Sequence, residues 1–189
     1  MKKSTGHLVA FTALLLTSIS HSSLAGDKMD SSQVMSGDLS KTTAIHVRLF
    51  DTTGADLGKP KFRDTANAMA KSAPHLLAAD IVEALRHAGF TSVTLDESEK
   101  GPSDESLSLT GRFTQLNPGS QDMRVWIGFG AGESKVCITG EVSNASGEKL
   151  ANFADCRNGL GWGGSAQQGG KDAEILGDRV AAFLIDWAK

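Results

Sequence analysis

After residue 25 this chain has no apolar run long enough to span a bilayer, which takes roughly 20 residues, and so no transmembrane span is expected in the mature chain. It has no basic stripe either. Lys and Arg are spread singly along it, whereas a phosphate-binding surface needs them clustered, so nucleic acid is not an expected partner. Histidine is scarce: beyond the first 25 residues only His46, His75 and His87 remain, none with a second histidine or a cysteine at ligand spacing. No metal site or cofactor is expected. There is no Gly-x-Ser-x-Gly elbow. Ser, His and Asp all occur, but in this composition that alone does not make a triad, and no catalytic residue is assigned.

What the start of the chain does have is a basic pair at Lys2 and Lys3, an uncharged run from Leu8 to Ile19 and small residues at Ser23 and Ala25. These are the three parts of a cleavable signal peptide, expected over residues 1–25 with cleavage after Ala25. The run of about 12 residues is too short for a membrane anchor. Leu24-Ala25-Gly26 begins like the acceptor site of a bacterial lipoprotein, but Asp27 stands where the lipidated cysteine belongs. A carboxylate forms no thioether, so the expected product is periplasmic or secreted, soluble and unlipidated. Without Lys2 and Lys3 the chain keeps 17 of its 19 basic residues against 22 acidic ones, a formal charge of −5.

The two cysteines, Cys137 and Cys156, would meet an oxidising compartment after export, which makes them a candidate disulfide; two buried reduced thiols are the alternative. They lie on consecutive strand-like segments joined at Asn144-Ala145-Ser146-Gly147. If Ser143 faces Glu148, Cys137 faces Ala154 and Cys156 is its diagonal neighbour on the same face. A slip of one residue would separate the sulfurs.

Residues 26–43 are polar and aperiodic and read as a flexible leader, with a single domain over 44–189. Ile45, Val47 and Leu49 alternate with polar neighbours as in a strand. A helix is expected from Ala73 to Ala88, with Pro74 in its first turn, Leu77, Ile81, Val82 and Leu85 on its apolar side and Gly89 as its stop; Asp64 to Lys71 is an Ala-rich extension that Pro74 would kink or restart. Strand patterns follow at Phe90–Leu95, Leu107–Phe113, Met123–Phe129, Lys135–Ser143 and Lys149–Asp155. Between the first two lies an acidic loop, Asp96 to Glu105. The final helix is expected over Lys171–Ala188, its stripe of Leu176, Val180, Phe183, Leu184 and Trp187 facing the sheet. The fold class is α+β: a mixed, mostly antiparallel sheet of about five to six strands, one helix after the first strand, and a C-terminal helix packed on the sheet.

Two glycine clusters imitate nucleotide sites. Gly128-Phe129-Gly130-Ala131-Gly132 is followed by a strand instead of the helix whose amides would meet a phosphate. Gly169-Gly170-Lys171-Asp172 has a surplus glycine, and Asp172 where a metal-binding hydroxyl should be. The stretch Gly159 to Gly170 around Trp162 is expected as a surface loop. Arg112, Arg124, Trp126, Arg157 and Trp162 form a candidate interaction surface, since Arg and Trp concentrate at binding hot spots. The alternative is that Trp126 belongs to the core and Arg124 to an ion pair.

Leu109-Thr110-Gly111-Arg112-Phe113, Asn117-Pro118-Gly119-Ser120, Arg124, Gly128 to Gly132 with Ser134, and Gly161-Trp162-Gly163-Gly164 together resemble the bacterial exported and lipoprotein family filed as domain of unknown function 4410. The resemblance implies no assigned activity. Many members look like lipoproteins, a property from which Asp27 departs here. By fold-level analogy the element order also resembles small periplasmic domains of envelope-assembly lipoproteins. The function expected is a non-enzymatic binding or assembly module of the cell envelope with another envelope protein as partner; a periplasmic hydrolase with a site invisible in sequence is the alternative.

Overall fold

Ile45 and Val47 alternate with His46 and Arg48, and the strand Ala44–Arg48 alternates in burial to match. The structure, a computed structural model, describes residues 28–96, 106–119, 133–159 and 166–188. Its elements are β1 (Ser31–Val34), β2 (Ala44–Arg48), a 3-10 turn at Pro60–Phe62, α1 (Arg63–His87), β3 (Val93–Asp96), β4 (Ser106–Asn117), β5 (Ser134–Ser143), β6 (Lys149–Gly159) and α2 (Ala166–Trp187). They form one six-stranded sheet in the order β1-β6-β5-β4-β2-β3. β1, β6, β5 and β4 run antiparallel in succession, while β2 lies parallel to both β4 and β3. The parallel step from β2 to β3 needs a crossover, and α1 is that crossover. The architecture is the mixed α+β sheet with a C-terminal helix that the sequence predicts.

Both helices meet the same face of the sheet. Ile45, Val47, Leu109, Phe113, Val136, Ile138 and Phe153 share one apolar cluster with Leu77, Ile81 and Leu85 of α1 and Leu176, Val180 and Leu184 of α2. At the middle of that face Gly111 lies directly opposite Gly140. The Phe50 ring occupies the space a side chain on Gly111 would take, and the Phe153 ring does the same over Gly140. The two rings are 6.3 Å apart, within the range of favourable aromatic pairs.

Three local expectations are corrected. First, α1 runs unbroken from Arg63, with Pro74 inside it. Proline in a helix interior costs about 3 kcal/mol, but Ala66, Met69, Ala73, Leu77 and Ile81 keep one helical phase across it and are all buried. A break there would put half the buried face out of register. Second, the stretch expected as a flexible leader contributes β1, whose four residues are all exposed. With no apolar face to bury, its sequence carries no alternation; backbone pairing to β6 holds it. It is pinned at both ends. Cys156 N–H donates to Asp30 Oδ2 at 3.0 Å, and Trp187 Nε1–H donates to the Gly37 carbonyl at 3.1 Å. Third, β6 continues four residues past Asp155, and its register with β5 is shifted by two from the expected one. One residue comes from the turn, since Ser143 pairs with Lys149, and one from a bulge before Ser143, since Val142 pairs with Ala151. Asn144 sets the longer turn: its Oδ1 accepts from the N–H groups of Ser146 and Glu148 at 3.1 and 2.9 Å.

Candidate functional site

The corrected register places Cys137 directly opposite Cys156, and the two form a disulfide with Cα atoms 4.1 Å apart. Because Cys156 N–H points to Asp30 on the β1 side, this is a non-hydrogen-bonded pair toward β5, the arrangement in which facing residues come closest. The bridge lies on the sheet face away from the helices, since Val136 and Ile138 on either side of Cys137 point into the core.

The same face carries a shallow depression of about 520 Å³, lined in part by Asp51, Thr110, Arg112, Thr139, Glu141 and Asn152. Its charges are already matched. Arg112 Nη2 donates to the Thr53 carbonyl at 3.1 Å, and Glu141 meets Lys149 at 2.6 Å. The Asp51 carboxyl is held below its ordinary range, first by the Thr53 N–H that donates to it at 2.8 Å and further by the Arg112 charge. These charges are exposed to solvent, which screens them, so they contribute little to stability. Further along, His46 Nδ1 and Thr94 Oγ1 lie 3.1 Å apart on adjacent strands, Thr94 exposed and His46 half-buried.

Arg157, by contrast, belongs to the helix side, because it pairs with Val136. Its Nε is buried 4.0 Å from Asp172 Oδ1. Asp172 is 1% exposed and accepts from Ser134 Oγ at 3.2 Å and Gln168 Nε2 at 3.3 Å. Nearby, buried Asp155 receives Arg179 Nη1 at 3.1 Å. These two acidic anchors tie α2 to β6. Sequence reasoning passed over them, though a signal existed: Asp155 occupies the inward phase of Ala151 and Phe153, and Asp172 lies one position from buried Ala173 and four from buried Leu176. Gly169, Gly170, Lys171 and Asp172 lie within α2 instead of in a loop before a helix, so the phosphate-loop imitation ends there.

The structure therefore separates Arg112 and Arg157 to opposite faces of the sheet. Arg124, Trp126 and Trp162 lie outside the described residues, as do the Met123–Phe129 segment and the first glycine cluster. Among the described residues no group of three or more His, Cys, Asp or Glu side chains is arranged to hold a metal, and no helix is long and apolar enough to cross a membrane.

Between the helices the Asp80 carboxyl is raised to about 7, chiefly because burial disfavours its charge and then because Asp178, Glu174 and Glu83 add negative charge around it.

The family model described as domain of unknown function (DUF4410) matches residues 45–163. A search of curated proteins gave no significant match. Among solved structures the chain is similar to the PelC dodecamer of Paraburkholderia phytofirmans in two crystal forms. One aligns at a TM-score of 0.50 and 15% identity, covering 82% of this chain and 95% of PelC. The other, also at 0.50, is 18% identical and covers 80% and 96%. At these identities the likeness is one of fold.

Proposed function

The chain belongs to the DUF4410 family, and from that premise we propose that it is an exported, non-enzymatic module of the bacterial cell envelope, acting by assembly with other envelope components, copies of itself included. The observation that carries this reading is the Cys137–Cys156 bridge between the paired strands β5 and β6. Such bridges persist in oxidising compartments and are rare where thiols are kept reduced. The first 25 residues supply the route, and Asp27, in place of a lipidated cysteine, releases the product without an anchor. Assembly is supported by the fold shared with PelC, whose solved structures are dodecamers. The engagement of Arg112 with the Thr53 carbonyl and of Glu141 with Lys149 also supports a contact surface over a reactive centre.

Fractionation of expressing cells tests the reading. The expected product begins at Gly26, is processed in the presence of globomycin, leaves the cell on osmotic shock and has no free thiol. A membrane-retained or lipid-modified product, or a reduced cytoplasmic one, would overturn it. The alternative of a hydrolase draws on one observation, the contact between Thr94 and His46. It requires that an ester- or peptide-cleaving activity be found and that Thr94→Ala abolish it.

A further inference from the structure

An exposed strand edge offers unpaired N–H and C=O groups to other chains unless something covers it. At the β3 margin the Arg86 guanidinium donates to the Val93 carbonyl from Nε at 3.1 Å and Nη2 at 2.6 Å, sealing part of that edge. The β1 margin differs. Among the described residues no hydrogen bond reaches its outer side. Val34 and Met35, 40% and 42% exposed, are two of the three exposed large apolar side chains among the described residues; the third, Leu95, is on β3.

The groups that point outward follow from the register. Met35 N–H donates to the Leu150 carbonyl at 2.8 Å, and antiparallel positions alternate between bonded and unbonded. Gln33, opposite Asn152, and Ser31, opposite Ala154, therefore turn their backbone groups toward β6. Ser32 and Val34 turn theirs outward, which leaves two donors and two acceptors along the edge.

We propose that this edge is a self-pairing surface: β1 of one copy joins β1 of a second copy antiparallel about a two-fold axis at Gln33, continuing the sheet through both chains. The proposal rests on the assembly reading above and names the contact. A second copy is the occupant because the edge matches itself. With the axis at Gln33, Ser32 of each copy lies opposite Val34 of the other, and all eight outward groups are used in four hydrogen bonds. Ser31–Val34 carries no charge, so the two-fold opposes no like charges along the strand. A self-matching patch closes at two copies, whereas the β3 edge, partly sealed by Arg86, offers it fewer groups. The two Gln33 side chains meet at the axis in an unbonded pair, where facing side chains are closest.

That last feature supplies the test. Gln33→Cys in the purified protein, under mild oxidation, is expected to give an interchain disulfide-linked dimer. Ser31→Cys places its two sulfurs four residues apart, about 13 Å, and stays unlinked. Val34→Pro removes an outward donor without touching the ladder to β6, as edge strands tolerate. Added to Gln33→Cys, it is expected to abolish the cross-link while the melting curve stays in place. Sedimentation of the unmutated protein separates the failures. A multimer in which Gln33→Cys does not cross-link overturns the edge and leaves the assembly reading standing, whereas a monomer with no cross-link overturns both. Equal linkage of the Ser31 variant would signal random collision and also overturn the edge.

Discussion

A single carboxyl shows how the packing of this molecule is tied to pH. Asp80 is raised to about 7 in the folded chain, by burial first and by Asp178, Glu174 and Glu83 next, against about 3.9 for an unperturbed aspartate. Between those values the folded chain retains a proton that the unfolded chain has released. Stability tied to Asp80 is therefore fully present below about pH 4 and is lost as pH rises toward and through 7. Asp80→Asn keeps the shape and the neutral form at every pH. Melting temperatures at pH 5 and pH 8 should fall with pH more steeply in the unmutated chain than in the variant, because all other titrating groups are common to both. Parallel slopes would show that the Asp80 carboxyl is not held neutral by its surroundings. The same residue lies over Gly177, where an added Cβ would come 2.8 Å from Asp80 Oδ2.

At the scale of elements, that glycine belongs to a row on α2, Gly169, Ala173, Gly177 and Ala181, spaced by four so that α1 can approach closely along it. Glycine inside a helix gives up about 1 kcal/mol relative to alanine, so Gly→Ala should stabilise wherever the neighbours can yield. At Gly170 the only near neighbour among the described residues is the Leu76 Cδ1 tip at 2.9 Å, which can rotate aside. At Gly177 the neighbours include the Leu77 carbonyl at 3.0 Å, backbone that cannot. Gly170→Ala is expected to be neutral or stabilising, and Gly177→Ala destabilising by about 1 kcal/mol or more, within the range of overpacked cores; denaturant midpoints decide the sign at each. The helices, the hairpin and the α+β class were legible because apolar residues keep period through β2, β4, β5, β6 and α2. What was not legible lacked that signal. β1 buries no side chain, the hairpin register was set by Asn144 and a bulge, and Pro74 was outweighed by burial on both sides of it. Of the candidate surface, Arg112 is out of phase with Leu109 and Phe113 and so already belonged to the outer face, whereas Arg157 lay beyond the strand expected to end at Asp155, so the inward phase of Phe153 and Asp155 was not carried on to it.

The whole molecule has two faces with different duties, and the disulfide is on the face that does not hold the core. The apolar cluster joins β2, β4, β5 and β6 to both helices on the inner side. Cys137–Cys156 ties two strands that the Asn144 turn and a long antiparallel ladder already connect. For a bridge closing a loop of this size the chain-entropy model gives about 3 kcal/mol, drawn from the unfolded state and not from native packing. Replacing both cysteines with alanine should therefore lower stability by about 2–4 kcal/mol without preventing folding, read as a shifted denaturant midpoint with an unchanged far-ultraviolet spectrum. Loss of folding altogether would mean that the bridge, and not the inner face, organises the sheet. The expected result has a consequence for export: a core that forms without the bridge lets the hairpin bring the two thiols together before they are oxidised, so the compartment would set the bond and the fold would set the pair.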